Sequence, residues 1–177
     1  PVVRRNFLDR EILQINTVYG KYLKEYNKVL RQRNRVLKDL KSGRVKEYAH
    51  QIDVLDNQLA KTGSYLIFKR NELIKKLSLL ARLQHRKIAG EGEHLTLKYI
   101  CSIKIAENTK KEEIENLLFK GLKGLKKEEI KKGTTLIGPH RDDIEIRIND
   151  KKAKIFASQG QQRTAVLSLK LSEVELI

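Results

Sequence analysis

Residues 19–40, YGKYLKEYNKVLRQRNRVLKDL, carry apolar side chains at Tyr19, Tyr22, Tyr26, Val29, Val36 and Leu40. The steps follow the three-and-four spacing of a helix that packs lengthwise against another. Arg33 holds the one seam position that is not apolar. Leu23, Leu30 and Leu37 form a second stripe and widen the apolar face. Upstream, Leu8, Ile12 and Ile15 keep the register, and Asn6 or Asp9 offers an N-cap. The pattern predicts one continuous helix of about 30 residues, roughly 45 Å long.

Ser42-Gly43 interrupts the pattern as a helix end and tight turn would. A second seam follows at Tyr48, Ile52, Leu55, Leu59, Thr62, Leu66, Leu73, Leu77 and Leu80, with a polar gap at Lys69. Two long helices joined by a short turn predict an antiparallel hairpin whose seams bury each other. This makes a coiled-coil-like arm over 1–88. Beyond Gly90 the period becomes two: Leu95, Leu97, Tyr99 and Cys101 alternate with Thr96, Lys98 and Ile100, and Ile103 and Ile105 follow, as in a half-buried strand. Thr109, with Glu112 or Glu113, reads as a capping box opening a helix that ends near Gly133. Thr134–Ile137 reads as a short strand closed by Gly138-Pro139. Ile144, Ile146 and Ile148 read as a strand, Asn149-Asp150 as a turn, and Ala153, Ile155 and Phe156 as the returning strand. A last helix follows Ser158. The fold class is α+β, mainly α: a long antiparallel helical hairpin arm, then a small mixed α/β region over 89–177.

The 177 residues hold 38 Lys+Arg against 22 Asp+Glu, a net charge of +16. A field of that size favours a polyanionic partner, nucleic acid or an anionic membrane surface. Lysines that solubilise helix faces are the plainer explanation of each single run. No apolar run is long enough to cross a bilayer. A lone cysteine, Cys101, excludes an internal disulfide framework and fits a reducing cytoplasm. The chain starts at Pro1 and stops inside a helical pattern, so it is expected to be a piece of a larger protein.

The chemistry concentrates at Ser158-Gln159-Gly160-Gln161. A Ser and a Gly in the first turn of a helix present backbone N–H groups without intrahelical partners, and the helix dipole favours an anion there. On local features alone an ordinary Ser N-cap is the better reading. The candidate nucleic-acid contacts are Arg31, Arg33, Arg35, Lys69, Arg70, Lys75, Lys76, Lys126 and Lys127. They matter as a sum, since phosphate contacts supply affinity without sequence readout. His140, Asp142 and Asp143 invite a metal, but neighbours on a turn-to-strand segment diverge, so a structural role is favoured. His50, His85 and His94 read as surface residues, Cys101 as buried core.

Three blocks then act together. Ile155 through Glu173, IFASQGQQRTAVLSLKLSE, resembles the signature region of the RecF family of DNA replication and repair proteins, relatives of the SMC group and ABC-type ATPases. Residues 1–9, PVVRRNFLD, resemble that family's second-domain opening, and Gly138-Pro139-His140-Arg141-Asp142-Asp143 resembles the block ahead of its signature. The resemblance implies a bacterial, cytoplasmic protein of DNA repair, replication and the SOS response. It implies ATP with Mg bound between two protomers, dimerisation on DNA at gaps, and work with RecO and RecR in loading recombinase. Ser158, Gln159, Gly160 and Gln161 would face the γ-phosphate held by a second RecF-like protomer, with Gln161 orienting the turn. Arg4 and Arg5 would pair with acidic residues of an ATPase lobe outside these 177 residues. The family places Gln159 where ABC-type signatures usually carry a glycine. No Gly-x-x-x-x-Gly-Lys-Ser/Thr and no apolar strand ending in Asp-Glu occurs in the 177 residues, so this piece is expected neither to hold ATP alone nor to hydrolyse it. The alternative is a non-enzymatic basic coiled-coil arm that binds nucleic acid or a protein.

Overall fold

The computed structural model describes residues 1–43, 49–106 and 108–176. Among these, helices and strands run α1 (Val2–Ile15), α2 (Thr17–Lys41), α3 (Ala49–Ala89), β1 (Leu95–Ile100), α4 (Lys111–Lys132), β2 (Asp143–Ile148), β3 (Lys151–Lys152), α5 (Ala153–Phe156) and α6 (Gln159–Leu176). The mainly helical α+β class is as expected. Tyr48 of the second seam, the turn beyond Gly43 and the side chain of His50 lie outside what is described.

The chain forms two compact units that interleave along the sequence. A helical unit comprises Asn16–Phe68 and Cys101–Asp142. A sheet unit comprises Pro1–Ile15, Lys69–Ile100 and the chain from Asp143 onward. The boundary expected at 88/89 is therefore not where the chain divides. Helix α4, assigned by sequence to the second region, belongs with the hairpin, and α1, assigned to the arm, belongs with the sheet.

In the helical unit, Tyr19, Tyr26, Val29, Val36 and Leu37 of α2 are buried, as are Ile52, Leu59 and Leu66 of α3. Both predicted seams thus face inward. They do not cover each other alone, because Ile114, Leu118 and Leu122 of α4 are also fully buried. Each such side chain contributes about 1.5–3 kcal/mol against its ordering entropy. The single 30-residue helix is corrected to two. Asn16 interrupts it, extended at φ −147°, and its side chain accepts from the Tyr19 N–H at 3.1 Å. Ile15 and Tyr19 are four apart, so the seam runs through the break without a trace.

Two further local expectations fail in this unit. Thr109 does not cap α4; its hydroxyl donates to the Ala106 carbonyl at 2.9 Å, and Lys110 takes the cap position with no side-chain bond. Thr134–Ile137 is not a strand. The Thr135 N–H donates to Asn34 Oδ1 at 2.8 Å and the Leu136 N–H to Glu129 Oε1 at 2.7 Å. Side chains take the place of a ladder partner.

The sheet unit carries an antiparallel sheet in the order β1-β2-β3. Leu95 pairs with Ile148, Leu97 with Ile146 and Tyr99 with Ile144. Asn149 and Asp150, both left-handed at φ 49° and 60°, make the tight turn whose twist matches the strands. The returning strand is shorter than expected: β3 spans two residues, and Ala153–Phe156 coils into α5. The expectation that Arg4 pairs outside the chain is corrected. Its guanidinium grips Asp143 at 2.6 Å and holds that carboxyl below its ordinary range.

Candidate functional site

Helix α6 opens with a reciprocal cap. The Gln161 N–H donates to Ser158 Oγ at 3.2 Å, and the Ser158 N–H donates to Gln161 Oε1 at 2.9 Å. This is a capping box with glutamine in the return position. The backbone ladder begins with the Gln162 N–H donating to the Ser158 carbonyl at 2.9 Å. The N–H groups of Gln159 and Gly160 lie ahead of that ladder, at the positive end of the helix. Ser158, Gln159 and Gly160 are exposed, and Gln161 is half-buried. Because Ser158 Oγ accepts from Gln161, its own proton is left to donate outward.

Gly160 is the informative residue. A Cβ built there meets only Ser158 Oγ, at 3.8 Å, and the backbone is not left-handed. Among the described residues nothing demands glycine there, and glycine in a helix interior costs about 0.5–1 kcal/mol relative to alanine. A group approaching from outside is what a missing Cβ would serve.

The nine basic candidates separate by burial. Arg31 and Arg35, one turn apart on α2, are exposed, and so are Lys76 and Lys127. Lys69, Lys75 and Lys126 are half-buried; Lys69 donates to Glu72 at 2.7 Å and Lys126 to Asp53 at 3.2 Å. Two candidates are corrected. Arg33 is 0% exposed, with Nε to Asp56 Oδ1 at 2.7 Å, Nη1 to Thr135 Oγ1 at 2.8 Å and Nη2 to Glu129 Oε2 at 2.6 Å. Two residues from Arg31 on a helix means the opposite face. Arg70 is 3% exposed and forks onto both oxygens of Asp9 at 2.9 Å. Neither guanidinium can reach a phosphate without breaking these bonds.

No family model matches the chain. Its full 177 residues align at 45% identity with the DNA replication and repair protein RecF of Alkaliphilus oremlandii, covering 47% of that protein. RecF of Ligilactobacillus salivarius aligns at 41% identity, again over the whole chain and 46% of the relative. A solved structure of the recombination mediator protein RecF with ATP, in the RecFOR pathway, superposes on 99% of the chain. The TM-score is 0.93 at 34% identity, and 46% of that chain is covered.

All 177 residues of the chain are similar to RecF.

It spans about half the length of the RecF relatives it matches. Within this RecF-like chain the remaining candidates have local partners. His140 Nδ1 lies 2.6 Å from the Tyr26 hydroxyl, and its Nε2 lies 3.2 Å from the Thr135 carbonyl. Asp142 accepts from the Ser102 N–H at 2.7 Å. No group of three His, Cys, Asp or Glu is arranged to hold a metal among the described residues, and no described helix is long and apolar enough to cross a membrane. The Cys101 thiol is pushed up to about 12 by burial first and the Asp142 charge second. In the native protein at pH 8, Cys101 is therefore expected to label with a maleimide far more slowly than in urea, a ratio mass spectrometry reads directly.

His85 corrects its surface reading. It is 0% exposed, with Nε2 at 3.1 Å from Glu93 Oε2 and Nδ1 at 3.1 Å from Ser168 Oγ. The signal was the four-residue step from Leu77 through Ala81, both buried, to His85. Glu93 was missed altogether; it also accepts from Gln161 Nε2 at 2.8 Å.

Proposed function

We propose that this chain supplies a DNA-contacting helical arm and an ATP-facing turn to a RecF-like repair protein. The turn would act in trans. Ser158 Oγ–H and the N–H groups of Gln159 and Gly160 would meet the γ-phosphate of ATP, held with Mg by a second protomer. Bound ATP contributes an anion that bridges two protomers, so its presence favours the dimer. Arg31, Arg35, Lys76 and Lys127, with the half-buried Lys69, Lys75 and Lys126, would track DNA phosphates and draw the dimer to gapped DNA. In the cytoplasm this dimer would work with RecO and RecR to load recombinase.

What carries the reading is Gly160, a glycine that the fold itself does not require. The reading makes a pair of expectations. Gly160→Ala should leave thermal stability unchanged or raise it by up to about 1 kcal/mol. In the full-length protein the same change should weaken ATP-dependent self-association, because the added methyl stands in the path of the phosphate. Ser158→Arg in the full-length protein should abolish that association, seen by sedimentation with and without ATP, while ATP-independent DNA affinity stays intact. If Ser158→Arg leaves ATP-dependent association in place, the basic-arm alternative takes over. That alternative accounts for the charge but gives no reason for Gly160.

A further inference from the structure

Glu93 lies in the connection between α3 and β1, and its two oxygens face different elements. Oε1 accepts from Gln161 Nε2 at 2.8 Å, and Oε2 faces His85 Nε2 at 3.1 Å. On the other side of the ring, His85 Nδ1 meets Ser168 Oγ at 3.1 Å. That hydroxyl donates its own proton to the Thr164 carbonyl at 2.8 Å, so toward the ring it accepts. Four side chains thus join the last turn of α3 to the opening and the middle of α6. His85 and Ser168 are fully buried, and the chain surfaces only at Gln161 and Glu93.

The far end of Gln161 is what matters. Its Oε1 accepts from the Ser158 N–H, and its backbone N–H donates to Ser158 Oγ. A free glutamine side chain has three torsions and samples many positions. This one is held at both ends of its carboxamide: the oxygen by the cap and the nitrogen by Glu93. The carboxylate therefore decides which way the amide is turned. A carboxylate can only accept, so it selects the NH2 and sends the oxygen to Ser158. Turned the other way, the amide would offer the Ser158 N–H a donor instead of an acceptor.

We infer that Glu93, braced by His85, is a positioning residue that sets the orientation of Gln161 and through it the outward aim of the Ser158 hydroxyl. The assignment rests on the proposed ATP-facing role of the turn. It concerns a residue 68 positions away in sequence from Gln161.

The test uses the full-length protein and reads the ATP concentration for half-maximal self-association, with the thermal midpoint alongside. Glu93→Ala should raise that concentration about tenfold, the effect of losing one hydrogen bond to a charged group. Glu93→Gln should restore most of the loss, because its carbonyl can still accept from Gln161. In a Gln161→Ala background, Glu93→Ala should add almost nothing. A residue that only stabilises the fold would instead lower the midpoint and act equally in both backgrounds. If Ser158→Arg abolishes association while Glu93→Ala leaves the ATP dependence unshifted, or shifts it equally with and without Gln161→Ala, the Glu93 assignment alone falls. If Ser158→Arg leaves association intact, the ATP-facing reading and this assignment fall together.

Discussion

Arg33→Ala is expected to lower the folding stability of the helical unit by about 3–5 kcal/mol, the cost of removing one partner from a buried ion network. The guanidinium is 0% exposed, and so are Asp56 and Glu129, which it holds at 2.7 and 2.6 Å. Without Arg33 two carboxylates remain buried with no cation between them. Among the described residues Asp56 Oδ2 already has no hydrogen-bond partner, so there is little slack to absorb the loss. Arg33→Lys should be intermediate, since one ammonium on a flexible stem cannot meet Asp56, Glu129 and Thr135 along three fixed directions. The matched control is Arg35→Ala. Arg35 is exposed two residues further on, and its loss should stay within about 0.5 kcal/mol. Urea unfolding of the three variants orders them. Equal midpoints for Arg33→Ala and Arg35→Ala would mean that the network does not contribute.

The same residue shows how far the sequence could be read. Its place in the seam was visible, because every neighbour at three-and-four spacing is apolar. A charged residue at a core position argues for a buried pair. Reading it as a DNA contact overrode that signal on the strength of Arg31 and Arg35 beside it. Its partners were not visible. They lie 23, 96 and 102 residues away, and no local pattern links them. The misassignment of α4 has the same origin: Glu129 and Ile130 tie it to the hairpin, while sequence order suggested the following region. The strand expected at Thr134–Ile137 fails because side chains supply its acceptors: Asn34 from 101 residues away, Glu129 from seven. By contrast the turn at Ser158 was legible, since a cap closes within four residues. What the sequence could not reveal there is Glu93, which reaches Gln161 only once β1 and α6 are in place.

Gly138→Ala is expected to be the other costly change, and for a reason of shape. Gly138 sits at φ +121°, where a side chain is strained by about 1–3 kcal/mol. A Cβ there would stand 2.5 Å from the Tyr26 hydroxyl. Tyr26 cannot swing aside cheaply: it is 1% exposed, and its hydroxyl is engaged with His140 Nδ1 at 2.6 Å. Shifting it leaves a buried polar group without its bond, a further cost of about 1–3 kcal/mol. The backbone is equally committed. The Gly138 N–H donates to Ser102 Oγ at 2.8 Å, and its carbonyl accepts from the Arg141 N–H at 2.8 Å across the Pro139 turn. The two causes can be separated. In a Tyr26→Phe background the hydroxyl is gone, so Gly138→Ala should keep its backbone strain and the milder 3.3 Å approach to His140 Nδ1, and destabilise less than it does in the parent. Equal losses in both backgrounds, read from thermal midpoints, would assign the whole effect to the left-handed backbone. A smaller loss in the Tyr26→Phe background would show that the Gly-Pro-His block is glycine-led because α2 presses a tyrosine against it.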